Sequence, residues 1–215
     1  MKKKQIITLL ALLFTTLGFS QPSGFTAVTG EAKKELHGAI HTASQKIKTL
    51  QCNFTQEKSS TLVQDKAISK GVMYYQMPNS LRWEYSSPTP STLIIHKNSA
   101  SFIDNKGVVS NNAKMFKHLG DLIMNTINGS SFADEKSFKV NYYINNKQKD
   151  AILVVLTPQD KRLKEIFNTI QIKIDKSDYL AKEIVMEEKS GDKTTIILEG
   201  KKLNQAIEQG KFLGK

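Results

Sequence analysis

Gly71-Val-Met-Tyr-Tyr-Gln-Met-Pro78-Asn-Ser-Leu-Arg82-Trp83-Glu84-Tyr85-Ser-Ser-Pro88 is the stretch that decides how this chain of 215 residues folds. In its first half Met73, Tyr75 and Met77 fall at every second position. In its second half Leu81, Trp83 and Tyr85 do the same, interleaved with Arg82 and Glu84. A period of two belongs to strands whose faces meet different surroundings. Pro78 and Pro88 close the two segments, because proline fixes φ and offers no N–H to a ladder. The pattern predicts a sheet with one apolar, aromatic face and one charged face. The only tryptophan of the chain stands on the apolar face. No other segment offers catalytic chemistry, so the function is sought on that face.

Outward from this stretch, the period of two recurs. Cys52, Phe54 and Gln56 alternate, and strands are expected over Ile68–Met77, Leu81–Tyr85, Thr92–His96 and Ser101–Asp104, with Asn105-Lys106-Gly107 turning the chain into Val108-Val109. More strands are predicted at Phe138–Ile144, Ala151–Pro158, Glu165–Asp175, Leu180–Lys189 and Thr194–Lys201. Their connectors, such as Lys176-Ser177-Asp178 and Ser190-Gly191-Asp192, carry hairpin residues. Short connectors imply antiparallel neighbours. Two helical patterns interrupt the strands. Ala32, Leu36, Ile40, Ala43, Ile47 and Leu50 predict a helix over 31–50, and Met115, Phe116, Leu119, Leu122, Ile123 and Ile127 predict one over 114–127, ended by Gly129. Nine or ten strands and two helices fold either as a sandwich or as a curled sheet plugged by the helices.

The first twenty residues stand apart. Lys2-Lys3-Lys4, the apolar run Ile6–Phe14 and the small residues of Gly18-Phe19-Ser20 have the three-part form of a signal peptide, cleaved near Ser20-Gln21. No cysteine follows the apolar run to accept a lipid. The expected mature chain, residues 21–215, suits one domain. Its formal charge is +8, since three of the lysines behind the total of +11 leave with the signal. The remaining lysines are scattered, which fits a solvated face, and export argues against nucleic acid as a partner. Cys52, the sole cysteine, cannot form an internal disulfide and reads as a small buried hydrophobe. His37 and His41 stand at helical i, i+4 spacing, but no third ligand is near, so they read as surface histidines rather than a metal site. No nucleophile elbow, phosphate loop or dinucleotide fingerprint occurs, and no enzyme or cofactor is expected.

Phe54-Thr55-Gln56, Gly71, Pro78-Asn79, Arg82-Trp83-Glu84-Tyr85 and Pro88, in that order, resemble the outer-membrane lipoprotein carrier (LolA-like) family. Asp192-Lys-Thr194-Thr-Ile196, Asn204 and Phe212 are similar to the family's last strand and closing segment. The resemblance implies an incomplete, half-open antiparallel β-barrel, capped by a helical lid and enclosing a hydrophobic cavity. It further implies a periplasmic monomer that takes acylated lipoproteins from an inner-membrane export transporter and carries them toward an outer-membrane acceptor. Phe54, Met73, Tyr75, Met77, Trp83, Tyr85, Leu93, Ile95 and Phe102 would line the cavity. Met115, Phe116, Leu119, Leu122 and Ile123 would form the lid. The alternatives are a carrier for another amphiphile, such as a glycolipid, and an adaptor that senses lipoproteins. Members of the family often carry an arginine before the proline that is Pro78 here; this chain has Met77, which implies a lid held by apolar contact.

Overall fold

The computed structural model describes residues 22–61, 65–97, 99–110, 114–145, 147 and 151–213; at 114–116, 118 and 119 it describes the backbone alone. The segment read as a signal peptide lies outside these residues. The elements are β1 (Phe25–Val28), α1 (Gly30–Gln45), β2 (Thr49–Ser59), β3 (Ala67–Gln76), β4 (Ser80–Ser87), β5 (Ser91–His96), β6 (Ser99–Ile103), β7 (Val109–Ser110), α2 (Lys114–Ile127), α3 (Ser130–Ala133), β8 (Phe138–Asn145), β9 (Ala151–Pro158), α4 (Lys161–Ile166), β10 (Phe167–Asp175), β11 (Ala181–Glu188) and β12 (Lys193–Leu203), with a 3-10 turn at Gln209–Phe212.

The strands form one antiparallel sheet in the order β1-β8-β9-β10-β11-β12-β2-β3-β4-β5-β6-β7. Two meanders, β2–β7 and β8–β12, are joined by the pairing of β12 with β2. The edges β1 and β7 do not pair with each other, so the barrel stays open. A single core takes Phe54, Trp83 and Ile95 from one meander and Val154, Ile172, Ile184 and Ile196 from the other, with Ile40 of α1 and Ile123 of α2 among them. A sheet whose two halves share one core wraps around it, which is the curled alternative rather than the sandwich.

The boundaries of α2 and β9 are those the sequence predicts. The helix expected over 31–50 instead ends at Gln45, where the N–H of Lys46 is taken up by the Ala43 carbonyl and that of Ile47 by the Ser44 carbonyl. Asn204 holds this junction. Its Oδ1 accepts from the backbone of Lys48 at 2.7 Å, and its Nδ2 donates to the Lys46 carbonyl at 3.0 Å. Chain leaving the helix is thereby committed to β2. The strand expected from Glu165 begins at Phe167, because α4 occupies the preceding residues, capped by an Asp160 carboxylate that accepts from the N–H groups of Arg162 and Leu163. β1, α3 and α4 are too short to leave a periodic signal.

The last turn covers the outer face of β4 and β5. Phe212 is buried there, its ring stacked on His96 at 6.4 Å. Arg82 points outward, as alternation requires; it pairs with Glu84 at 2.8 Å and donates to the Lys211 carbonyl at 3.3 Å. Ile94, on the same outward face, is buried because of this cover.

Asn204→Ala removes the hydrogen bonds that fix the α1–β2 junction. A loss of about 1–2 kcal/mol of stability is expected, at roughly 0.5–1.5 kcal/mol for each net bond, and urea unfolding monitored by Trp83 emission measures it.

Candidate functional site

The apolar face expected from the sequence lies on the concave side. Phe54, Met73, Tyr75, Trp83, Leu93 and Ile95 are all buried on it. The rings interlock, with Phe54 stacked on Trp83 at 4.0 Å and Tyr85 edge-on to Phe54 at 5.2 Å. The Tyr85 hydroxyl donates to Gln56 Oε1 at 3.0 Å, so this residue faces the interior through its ring and is only half-buried. Phe102 on β6 is also half-buried and packs against the core. Gly71 makes the ring cluster fit. A Cβ there would meet the edge of the Phe54 ring at 2.7 Å and the backbone carbonyl of Glu84. The register of β3 against β4 shifts at this position.

Met77 departs from the expectation. β3 ends at Gln76, and the Met77 N–H donates to the Lys48 carbonyl at 2.9 Å instead of continuing the ladder. Its side chain is 38% exposed in the turn and does not belong to the concave wall.

α2 lies over β5 and β6. Leu122 and Ile123 point into the core with Met124 and Ile127. Met115, Phe116 and Leu119 fall where the backbone alone is described. Gly120 permits the close approach, because a Cβ on it would run into the Ile95 side chain and stand 3.3 Å from Leu81. The far end of α2 is tied to α1. Gln45 donates to the Asn128 carbonyl at 3.2 Å, and Gly129, at φ 79°, lies close to Ser44. Where the end of α2 meets α1, α3 and the strands of the second meander there is a void of about 10 Å³, lined in part by Ser44, Leu50, Thr126, Phe132 and Leu198.

Among the described residues three buried side-chain polar atoms have no hydrogen-bond partner: Tyr75 Oη, Trp83 Nε1 and Thr126 Oγ1. Buried polar groups are nearly always paired, so these three call for an explanation. Burial pushes the Tyr75 phenol above its ordinary pKa; the nearby Asn128 amide opposes this without reaching bonding geometry. Burial likewise raises Tyr85, opposed by the Trp83 indole N–H, which lies near its hydroxyl without reaching bonding geometry, and by the bond to Gln56.

A second feature lies at the other edge, between α1, α3 and β8. It is an open groove of about 810 Å³. Phe132, Phe138 and Tyr142 line it below, and Lys33, His37 and Glu135 are among its polar residues. Lys33 donates to the Val140 carbonyl at 3.0 Å and stands 5.9 Å over the Tyr142 ring. His37 is no simple surface histidine. Its Nδ1 is 2.8 Å from the Tyr142 hydroxyl, and its ring stacks on His41 at 6.3 Å. Burial chiefly, then His41 and Lys33, hold His37 below its ordinary pKa. Sequence reasoning passed over this groove because its residues come from segments a hundred positions apart. The alternation of Phe138, Val140 and Tyr142 was its one visible trace.

Cys52 is buried, and its thiol is pushed up to about 12 by desolvation, which makes it a packing residue rather than a nucleophile. Among the described residues no three His, Cys, Asp or Glu side chains gather to hold a metal, and no helix is long and apolar enough to cross a membrane.

An open antiparallel sheet with helices laid on its apolar concave face defines a class of small β proteins with a coverable interior. Residues 45–214 match the family described as outer membrane lipoprotein carrier protein LolA, and the chain belongs to that family. No curated protein sequence matches it. Among solved structures it is similar to MucB, with a TM-score of 0.50 at 9% identity over 84% of this chain and 62% of that one. It is also similar to a DUF1329 family protein from Desulfovibrio piger, with a TM-score of 0.47 at 9% identity over 84% and 96% of the two chains. A LolA superfamily protein from Nitrosomonas europaea gives a TM-score of 0.41 at 8% identity over 82% and 96%. At these identities the likeness concerns the fold alone.

Gly120→Ala is expected to push α2 off β4 and β5, and amide exchange in 114–127 should rise at least several-fold while exchange in β9 and β10 stays unchanged. His37 supplies a pH dependence. Above its ordinary value of about 6.5 the ring is neutral in both folded and unfolded chains. Below that value the unfolded chain takes up the proton first, so stability falls as pH drops through this range. His37→Gln should therefore narrow the difference between urea midpoints taken at about pH 7.5 and about pH 5.5.

Proposed function

We propose that this protein is a periplasmic carrier that shields the acyl chains of lipoproteins on the concave face, beneath α2. The observation that carries the reading is the set of three buried polar atoms that have no partner among the described residues, Tyr75 Oη, Trp83 Nε1 and Thr126 Oγ1. A core selected for stability alone has no use for orphaned donors. Ester and amide carbonyls of a lipid-modified cysteine would supply the missing acceptors as the chains enter. Membership of the lipoprotein carrier family and the signal-like start of the chain support the same reading.

The energetics suit the task. About fifteen buried methylenes at about 0.8 kcal/mol each amount to about 12 kcal/mol per acyl chain, which no lipoprotein surrenders to water unaided. The carrier offsets this cost with its own apolar face, which α2 covers when the site is empty. Exchanging α2 for the chains keeps the net affinity moderate, so the cargo can leave for an acceptor. The donor in this scheme is an inner-membrane export transporter, and the acceptor lies at the outer membrane.

Trp83 is the sole tryptophan and stands in the proposed site, so its emission reports occupancy directly. A diacylated lipopeptide with brominated chains should quench Trp83 saturably, and the same peptide without acyl chains should not. Gly120→Ala, by favouring the open helix, should raise the apparent affinity about threefold or more. Absence of quenching by the brominated lipopeptide would sink the reading.

A further inference from the structure

The groove at the β8 edge and the void at the end of α2 have one residue in common. Phe132 of α3 lines both and is itself buried, so it stands between an open, charged space of about 810 Å³ and a small void of about 10 Å³ at the core end of α2. A space of this size is in the range that holds a small ligand, roughly 300–1,000 Å³. Its two ends differ in chemistry. Among the described lining residues Lys33 and Lys34 stand on the outside with the carboxylate of Glu135, beside Lys139, which has an interaction of its own. Lys34 is already paired with Glu31 at 2.9 Å. Lys33 is held by a carbonyl and a ring, neither of which neutralises its charge. On the inside stand Phe132, Phe138 and Tyr142, and beyond Phe132 lies the void containing the unpartnered Thr126 hydroxyl.

We infer that the groove takes the anionic head of a lipid, a carboxylate or a phosphate ester, whose chain passes Phe132 into the concave interior. The charge balance selects the head. An anion gains from the uncompensated Lys33 ammonium in a partly buried setting, where such contacts are stronger than in open water. The apolar partition selects the tail. A free inorganic anion would use the lysines and leave the Phe132–Phe138 surface without a role. A neutral lipid would use that surface and leave Lys33 unanswered. Only a molecule with both parts matches both ends of the space. The inference rests on the reading that the interior admits acyl chains, and it adds a second entrance and a headgroup chemistry to it.

The test uses the full mature chain and four probes: palmitate, lysophosphatidylglycerol, monopalmitoylglycerol as the uncharged counterpart, and inorganic phosphate alone. Affinity is read by calorimetry, location by amide chemical shifts, and chain entry by quenching of Trp83 with bromopalmitate. Palmitate and lysophosphatidylglycerol should bind at least tenfold more tightly than monopalmitoylglycerol and shift amides of α1 and β8. Lys33→Gln should remove most of that preference while leaving monopalmitoylglycerol binding unchanged. Because Lys33 also contacts Val140, a second variant fills the groove from an exposed position: Ala133→Trp should weaken the charged lipids about tenfold with the fold intact. Its added tryptophan would confuse the emission signal, so that variant is read by calorimetry alone. Equal affinity for charged and uncharged lipids would overturn the headgroup assignment. Tight binding of inorganic phosphate alone would make the groove a site for free anions. Groove shifts without Trp83 quenching would overturn the path past Phe132. If every single-chain probe fails while the brominated lipopeptide still quenches Trp83, this inference falls and the carrier reading stands. Failure of both would remove the carrier reading as well.

Discussion

A twelve-stranded sheet that wraps without closing must cover its own apolar concave face, and every other feature of this structure follows from how that is done. A closed barrel would seal the face with strands, and a sandwich would seal it with a second sheet. Both covers are built into a hydrogen-bonded network and resist removal. Here the cover is α2, a helix whose backbone bonds are satisfied within itself. It can leave the sheet without breaking a ladder. Among the described residues it is held where Gly120 lets it sink toward Ile95 and Leu81 and by a tie to α1 at Asn128. The fold thus separates the strong interactions that define its shape from the weak ones that close it.

The wall beneath the helix is rigid for an identifiable reason. Gly71 leaves room for the Phe54 ring between strands, Phe54 stacks on Trp83, and Tyr85 closes the cluster edge-on. Aromatic pairs of this geometry contribute about 0.5–1.5 kcal/mol each beyond their buried area. A stiff aromatic wall facing a detachable helix is an arrangement in which a guest replaces the helix and leaves the wall alone. The orphaned polar atoms are divided between the two, with Tyr75 and Trp83 on the strands and Thr126 on the helix.

Much of this was legible in the chain. The alternation through 71–85 placed Met73, Tyr75, Leu81 and Trp83 on the buried face and Arg82 and Glu84 outside, because a strand's parity admits no other arrangement once one face is apolar. The limits of α2 were visible in the change of period. Other features were hidden by physics rather than by inattention. Ile47 and Leu50 keep helical spacing after the helix has ended, because burial against the same core selects apolar residues whatever the backbone does. Met77 keeps the parity of β3 but lies one residue beyond it, and parity alone cannot tell a strand from its turn. The groove at β8 was out of reach, since Lys33 and Glu135 each look like ordinary solvated charges until the fold brings them to one rim.

The turn at Gln209–Phe212 gives the structure an unsuspected vantage point. Phe212 presses on the back of β4 and β5, and α2 lies against the front of β5, while the neighbouring Leu213 is 48% exposed. The strands between them act as a diaphragm, thin enough that a load on one side is felt on the other. A dye attached at Leu213 would listen to the interior through the wall, hearing the helix lift without standing in the path of anything that enters.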